Sequence, residues 1–358
     1  MESLVKRQAA HVIIQQDIGH VIQVVGDSLN RLRGKRLLVT GGTGFIGTWL
    51  LETVSQINEE WDQPCRVYVP TRNPEGFARK APHLAARLDI TLLPGDVCSF
   101  EYPDDACDFI VHAAAPADPL TLLRDPLGVA ETIVDGTQRV LELAARKKVA
   151  SFLFVSSGAV YGIQPPDLER VPEDYAGGSN IASPGSAYGE AKRYAEMLCA
   201  LYHQNSGVAV RIARPFTFVG PYQDLNAGFA VTDFIRDALQ GLPLHIQGDG
   251  TTVRSYYYAS DLAAALWRIL LDGPVGRAYN VGSDEPISIL ELARKIILIL
   301  GTPTEIIVGG KPVPGKRPHR YVPDISRGRS ELGLPVGTGL EEALRRTLDW
   351  TRETHHTL

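Results

Sequence analysis

The 358-residue chain has four cysteines (Cys65, Cys98, Cys107 and Cys199) and two methionines. The cysteines are scattered and form no CxxC pair, which argues against a disulfide scaffold or a Cys-rich zinc site. The nine histidines show no metal-ligand spacing, so no metal is expected. Basic charge is not in excess. Against 41 Asp+Glu stand 36 Lys+Arg, a net charge of −5, which disfavours general nucleic-acid binding. No apolar run approaches the roughly 18–20 residues of a membrane span. Internal repeats and low-complexity tracts are also missing. What is present is a hydrophobic fraction of 44% and a charged fraction of 22%, the composition of a globular chain with a large core.

The first 34 residues precede any strong strand. Their apolar positions, among them Ile14, Ile18, Val21, Val25, Leu29 and Leu32, are interrupted by Gln15, Gln16, Asp17 and Asp27. That is not the unbroken apolar core of a secretory signal, so a reduced, cytoplasmic setting is expected. The spacing predicts one or two amphipathic helices packed on the domain behind them, or against a dimer mate.

From Lys35 the pattern changes. Short apolar runs at 36–40, 66–70, 90–93, 109–113, 151–157 and 208–213 alternate with helical stretches such as 44–57 and 130–147. Near-continuous apolar strands separated by helices predict βαβ units and a doubly wound parallel sheet covered on both faces. After about Pro215 the chain becomes looser and richer in Gly and Pro. The expected division is a helical extension at 1–34, a dinucleotide-binding domain at 35–215 and mainly a substrate lobe at 216–358, with some segments returning to the first domain.

The first strand runs into Thr40-Gly41-Gly42-Thr43-Gly44-Phe45-Ile46-Gly47, a GxxGxxG turn opening a helix. Glycine permits the tight path and a close pyrophosphate, and the helix N-terminus offers free N–H groups. Gly41, Gly44, Phe45, Ile46 and Gly47 are therefore the expected cofactor loop. After the second strand stands Val69-Pro70-Thr71-Arg72-Asn73, without the acid that would bond the ribose of NAD. Arg72 suits a 2′-phosphate and favours NADP over NAD. The other reading makes Arg72 a solvated loop arginine, with Thr71 or Asn73 on the ribose.

A second signal is Ser186-Ala187-Tyr188-Gly189-Glu190-Ala191-Lys192. Tyr188 and Lys192 stand at i and i+4 on one helix face, where an ammonium favours the phenolate and lowers the tyrosine pKa. Ser157, at the end of the fifth strand, supplies a hydroxyl to position the reacting oxygen.

With these residues in view, the chain resembles the extended short-chain dehydrogenases/reductases of the sugar-nucleotide epimerase/dehydratase family, from about Lys35 to Arg352. The marks are TGGTGFIG at 40–47, GDV at 95–97, HAAA at 112–115, SSGAVYG at 156–162, SAYGEAK at 186–192, RPFTFVGPY at 214–222, GDGTTVRSYYYASDL at 248–262 and YNVGSDEPISILELA at 279–293. The resemblance implies a Rossmann-type domain carrying NAD or NADP and a small C-terminal lobe carrying a nucleoside diphosphate sugar. It implies Asp96 and Val97 beside the adenine, and Ala113, Ala114, Ala115 and Pro215 along the cofactor. Tyr188 would be the acid/base, Lys192 its partner and ribose ligand, and Ser157 the second hydroxyl. Thr217 and Arg254 would face the substrate, Arg254 gripping its diphosphate unless it pairs with an acid such as Asp261. A homodimer built from two helices is the family expectation.

Three departures narrow the chemistry. Relatives that eliminate water across C5 and C6 carry an Asp-Glu pair where this chain has Gly158 and Ala159, and UDP-glucuronate decarboxylases carry Glu at the Ala159 position. Ile133 and Thr217 stand where many members have Asn. The expected activity is therefore nucleotide-sugar 4-epimerisation through a transient 4-keto sugar. The alternatives are an NADPH-dependent 4-ketoreductase, then a decarboxylase or 4,6-dehydratase, and outside catalysis a cofactor-sensing scaffold. The basic loop at 311–320 either closes over a diphosphate or is solvated, and 340–352 reads as a terminal amphipathic helix.

Overall fold

A computed structural model describes residues 2–101, 106–315 and 317–354; His355 and His356 of the tail lie outside the described residues. Six strands follow the predicted rhythm: β1 Arg36–Thr40, β2 Arg66–Thr71, β3 Ile90–Pro94, β4 Phe109–His112, β5 Ser151–Val155 and β6 Val210–Pro215. With a seventh strand, Ala278–Val281, they form one parallel sheet in the order Ala278–Val281, β6, β5, β4, β1, β2, β3. This is a Rossmann-type sheet, and its order reverses between β1 and β4. The crevice beyond their carboxyl ends is the place such sheets offer a ligand.

The strands are buried because both faces are covered. All five residues of β5 (SFLFV) and all four of β4 (FIVH) are buried. Helices Phe45–Asn58 and Ala259–Asp272 supply Trp49, Leu50, Val54, Leu266 and Trp267 to one face. Helices Pro126–Lys147 and Ala187–Ser206 supply Val140, Leu141, Ala195 and Leu198 to the other. β5 stops at Val155, two residues before its expected end. Ser156 and Ser157 thus leave the sheet at its ligand-facing edge, and Ser157 caps the turn Gly158–Tyr161.

The head forms helix Glu2–Val25 and a 3-10 segment, Gly26–Leu32. Ala10, Ile14, Ile18, Val21 and Val25 recur at helical spacing and are buried, and Gly26, at φ +60°, ends the helix. This face packs on Ala259–Asp272 and on the terminal helix Leu340–Thr354. Polar groups pin it as well. Asp17 accepts from the Tyr258 hydroxyl at 2.6 Å and from Arg346 at 2.7 Å, and Ser28 donates to Asp272. The terminal helix, read from sequence as nothing more than amphipathic, is therefore also the clamp on the head.

A smaller lobe stands over the ligand-facing end. Its helices Ala230–Leu239 and Ile289–Leu300 enclose Phe234, Ile235, Leu292 and Ile296. Strand Val253–Arg254 lies between Ile287–Ser288, antiparallel, and Arg320–Tyr321, parallel, with Tyr321 opposite Arg254. Among the described residues no helix is long and apolar enough to cross a membrane.

Candidate active site

The glycine turn joins β1 to its helix within one tight bend. Gly41 has φ +70°, and a Cβ there would lie 2.8 Å from the Ala113 carbonyl and the Ala114 nitrogen. Gly47 is just as confined, with the Gly42 Cα 2.3 Å from its added Cβ. At Gly44 a Cβ would meet only the Gly41 oxygen, at 3.2 Å. The turn is thus closed against the protein and open on one side. No side chain caps the helix that Gly44 opens, so its first N–H groups remain for an anion. These residues fit a dinucleotide pyrophosphate.

Ala113 and Ala114 are held by a buried relay. The Ala114 N–H donates to Thr40 Oγ1 at 3.2 Å, and Thr40 Oγ1 lies 2.7 Å from His112 Nδ1. Thr137 gives its proton to the Ile133 carbonyl at 2.6 Å, so it accepts from His112 Nε2–H at 3.0 Å. His112 is thereby a neutral Nε2–H tautomer. Burial agrees, pulling its pKa down to about 3.

One cavity of about 650 Å³ gathers Ser157, Tyr188, Lys192, Ile46, Ala113, Ala115, Pro215, Thr217 and Arg254. Gly41, Gly44, Phe45, Gly47 and Ala114 do not line it, and the Phe45 ring stacks on Phe218 at 4.9 Å. Arg72, Asp96 and Val97 lie elsewhere. Arg72 is exposed and 3.8 Å from Asp96, while Val97 is buried against Gly136. Asn73 is committed to capping helix Pro74–Lys80 through the Gly76 N–H. Lys80, which the sequence reading passed over, reaches back to the glycine turn. It donates to the Thr43 carbonyl at 3.1 Å and to Thr48 at 3.2 Å, and burial lowers its pKa to about 8.

Within the cavity, Lys192 Nζ donates to the Val155 carbonyl at 2.8 Å and lies 4.8 Å from the Phe154 ring centre. Burial draws its pKa down to about 8. The spacing argument expected Lys192 to lower Tyr188. In the protein alone burial dominates and raises the Tyr188 phenol, opposed by its hydrogen bond with Ser157, and Lys192 is not among the causes. Lys192 Nζ is directed instead at the Val155 carbonyl. Ser157 Oγ also accepts from the Ala159 N–H at 3.1 Å.

Arg254 is lowered chiefly by burial. Its Nη1 donates to the Val253 carbonyl, its guanidinium stands 5.5 Å from the Tyr321 ring centre, and among the described residues it has no carboxylate partner. The acid proposed as its partner, Asp261, is occupied by His20 and by the Thr338 N–H. Arg254 is therefore an uncompensated cation facing the cavity, suited to a diphosphate. Of the tyrosine cluster, Tyr256 lines the cavity, whereas Tyr257 and Tyr258 are packing residues bonded to Pro335 and Asp17. None of the described residues of 311–320 lines it; Arg320 ends that loop in the strand beside Arg254. Tyr321, Phe229 and Gln247 do line it and were missed.

The comparisons with known proteins concern the family and the fold. The model of the NAD dependent epimerase/dehydratase family matches residues 37–282. UDP-glucuronic acid decarboxylase 1 of Xenopus tropicalis is 34% identical over 319 residues, 89% of this chain and 72% of that protein. UDP-glucuronic acid decarboxylase 6 of Arabidopsis thaliana is 34% identical over 310 residues, 86% of each chain. Among solved structures, UDP-glucuronic acid 4-epimerase from Bacillus cereus with UDP-glucuronic acid and NAD superposes with a TM-score of 0.75 at 26% identity, covering 89% of this chain and 99% of that one. A dTDP-glucose 4,6-dehydratase from Streptomyces venezuelae with NAD bound gives 0.74 at 27% identity, covering 89% and 98%. A glycine turn at a sheet reversal, a Ser-Tyr-Lys set in one cavity and a match over most of the chain lead to one conclusion: this protein belongs to the NAD-dependent epimerase/dehydratase family.

Proposed function

We propose that the protein is a nucleotide-sugar 4-epimerase. One observation carries the reading. Ser157, Tyr188, Lys192 and Arg254 share a cavity whose described lining holds a single carboxylate, Asp233. Oxidation and re-reduction at C4 need a hydroxyl pair and a cation; dehydration needs an added acid and base, and Gly158 and Ala159 supply neither.

Arg254 holds the diphosphate, and Thr217 lies along the sugar. The turn of Gly41, Gly44, Phe45, Ile46 and Gly47, with Ala113, Ala114, Ala115 and Pro215, would hold NAD or NADP, which when bound supplies the hydride acceptor and donor for C4. Asp96 and Val97 serve its adenine end. Tyr188 takes the C4 hydroxyl proton as the C4–H bond breaks, and Ser157 hydrogen-bonds the same oxygen. Lys192 keeps a positive charge behind the phenol and beside the cofactor ribose. The resulting 4-keto sugar turns over in the cavity, and Tyr188 returns the proton to C4 oxygen after reduction on the other face. The NAD held by the two solved relatives supports NAD; Arg72 supports NADP.

A second reading is favoured by the decarboxylase relatives. In a 4-keto uronic acid the carboxylate lies β to the ketone, so carbon dioxide leaves once C4 is oxidised, without a dedicated acid. The absence of Glu at 159 does not forbid that step. Incubation with UDP-glucuronic acid, UDP-glucose and dTDP-glucose, with NAD or NADPH, separates the outcomes. Inversion at C4 without net cofactor use supports the epimerase; carbon dioxide release, or stoichiometric NADPH oxidation by a 4-keto sugar, rejects it.

We also propose a homodimer. Leu123, Leu127, Tyr194, Met197 and Leu201 are exposed on the neighbouring helices Pro119–Arg124, Pro126–Lys147 and Ala187–Ser206. An apolar row of that size on adjacent helices suits a second copy of the chain.

A further inference from the structure

Ser157 stands between two residues that are tied to one arginine. Ahead of it, the Ser156 N–H donates to the Ala213 carbonyl of β6 at 2.7 Å, and the Ser156 hydroxyl donates to Glu196 Oε1 at 2.6 Å. Behind it, the turn that Ser157 caps ends at Tyr161. Arg214, the β6 residue after Ala213, reaches both sides. Its Nε and Nη2 donate to the two Glu196 oxygens at 2.9 and 2.6 Å. Its Nη1 donates to the Tyr161 hydroxyl oxygen at 2.7 Å and to the Glu173 carbonyl at 3.0 Å. Tyr161 directs its own proton to Asn280 Oδ1 at 2.7 Å. Glu196 stands one helical turn beyond Lys192, on the same face. Lys192 takes the Val155 carbonyl and Glu196 the Ser156 hydroxyl, so one helix grips two consecutive residues at the strand end.

We infer that the Glu196–Arg214 pair is a positioning unit that fixes the Ser157 hydroxyl for the sugar C4 oxygen. The inference rests on Ser157 being the hydroxyl that meets that oxygen. Glu196, Arg214 and Tyr161 do not line the cavity; they act through the chain on either side of Ser157. Their bonds leave the Ser157 hydroxyl itself unoccupied. The two charged side chains are only 13% and 14% exposed. An ion pair taken out of water adds little stability over apolar residues of the same size, and its best-attested use is to hold one arrangement among several. The two-pronged arginine fork sets Glu196 in one place. Glu196 then sets Ser156, while the remaining arginine nitrogen sets Tyr161.

Removing Glu196 or Arg214 would leave the other charge buried and unpaired, so the test breaks the bonds at their far ends. NAD-saturated protein is mixed with UDP-glucose, UDP-glucuronic acid or dTDP-glucose, and reduced nicotinamide is followed in a single turnover. In Ser156→Ala the rate at saturating sugar should fall about tenfold, because a slightly misplaced group near the reacting atoms costs up to a hundredfold. The half-saturating sugar concentration and the circular dichroism should stay unchanged. Tyr161→Phe should slow the step in the same direction. In a Ser157→Ala background neither substitution should slow it further. An unchanged saturated rate in Ser156→Ala, even with a lowered melting temperature, overturns the inference; so does an equal loss when the Ser157 hydroxyl is already gone. If Ser157→Ala alone reduces NAD at the wild-type rate, the role given to Ser157 fails and takes the inference with it. A slow Ser157→Ala beside a normal Ser156→Ala removes only the positioning unit.

Discussion

His20 of the head donates its Nε2 proton to Asp261, 241 residues later, at 2.8 Å. Asp261 is wholly buried and begins the helix that follows the tyrosine cluster. The bond thus ties the first helix to the helix Ala259–Asp272 that covers one face of the sheet.

This tie has a definite pH sense. The Asp261 hydrogen bond raises the His20 pKa, so its contribution is complete below the ordinary histidine value and is lost as pH rises through the raised one. Burial likewise raises Asp17 to about 6 despite Tyr258 and Arg346, so the gain from its protonated form fades as pH rises through that value. Both groups favour docking of the head on the acid side. Substituting His20→Gln should lower the melting temperature more at about pH 6 than at about pH 8.5; an equal loss at both rejects the assignment.

Ile18 is 2% exposed and central to the head's buried face. Replacing it with alanine should cost about 2–5 kcal/mol, measured by denaturant unfolding. Removal of residues 1–32 should lower stability further or change the oligomeric state, leaving the Tyr188 and Lys192 chemistry in the protein that still folds. A truncated form with unchanged melting and oligomeric state contradicts the packing.

Arg254→Met should weaken UDP binding by about 10- to 100-fold, the worth of a charge-assisted hydrogen bond to phosphate. It should not lower the melting temperature of the ligand-free protein, because it removes a half-buried cation that has no carboxylate partner among the described residues. A structural ion pair would give the reverse pattern.

Arg72→Ser should weaken NADPH far more than NADH in fluorescence titrations, since only NADPH carries a 2′-phosphate. Equal weakening of the two would count against a 2′-phosphate contact and leave Arg72 as a partner of Asp96.

Met197→Glu places a charge in the exposed apolar row of the helix Ala187–Ser206. Sedimentation should show a shift from dimer to monomer, with the circular dichroism spectrum retained. A monomeric wild type would dismiss the interface.

The features legible in the sequence were the ones that depend on neighbours along the chain. Gly41, Gly44 and Gly47 had to form a turn because they sit between a strand and a helix, and the helical spacing of Tyr188 and Lys192 is a local fact. The β pattern of 151–157 was visible, but its end was not, because Val155 is fixed by the register of β5 with β6. Tyr321 and Lys80 reach the site by strand pairing and by a helix folding back, which no spacing reveals. The alternative of an Arg254–Asp261 pair fell away for the same reason: His20 takes Asp261 from the opposite end of the chain. The expected lowering of Tyr188 by Lys192 neglected burial, which raises the phenol in the protein alone.

The pairing of Tyr321 with Arg254 turns the site into a ruler. Under the proposed function Arg254 grips the diphosphate end and Tyr321 lies beside Gly158, and because they are opposite each other in a strand pair, the spacing of their backbones is fixed. A sugar longer or shorter by one bond cannot be met by sliding the clamp away from the reacting centre. Changes in the preferred sugar must come from side chains around that gauge, such as Thr217 and Ala159, while its length stays constant.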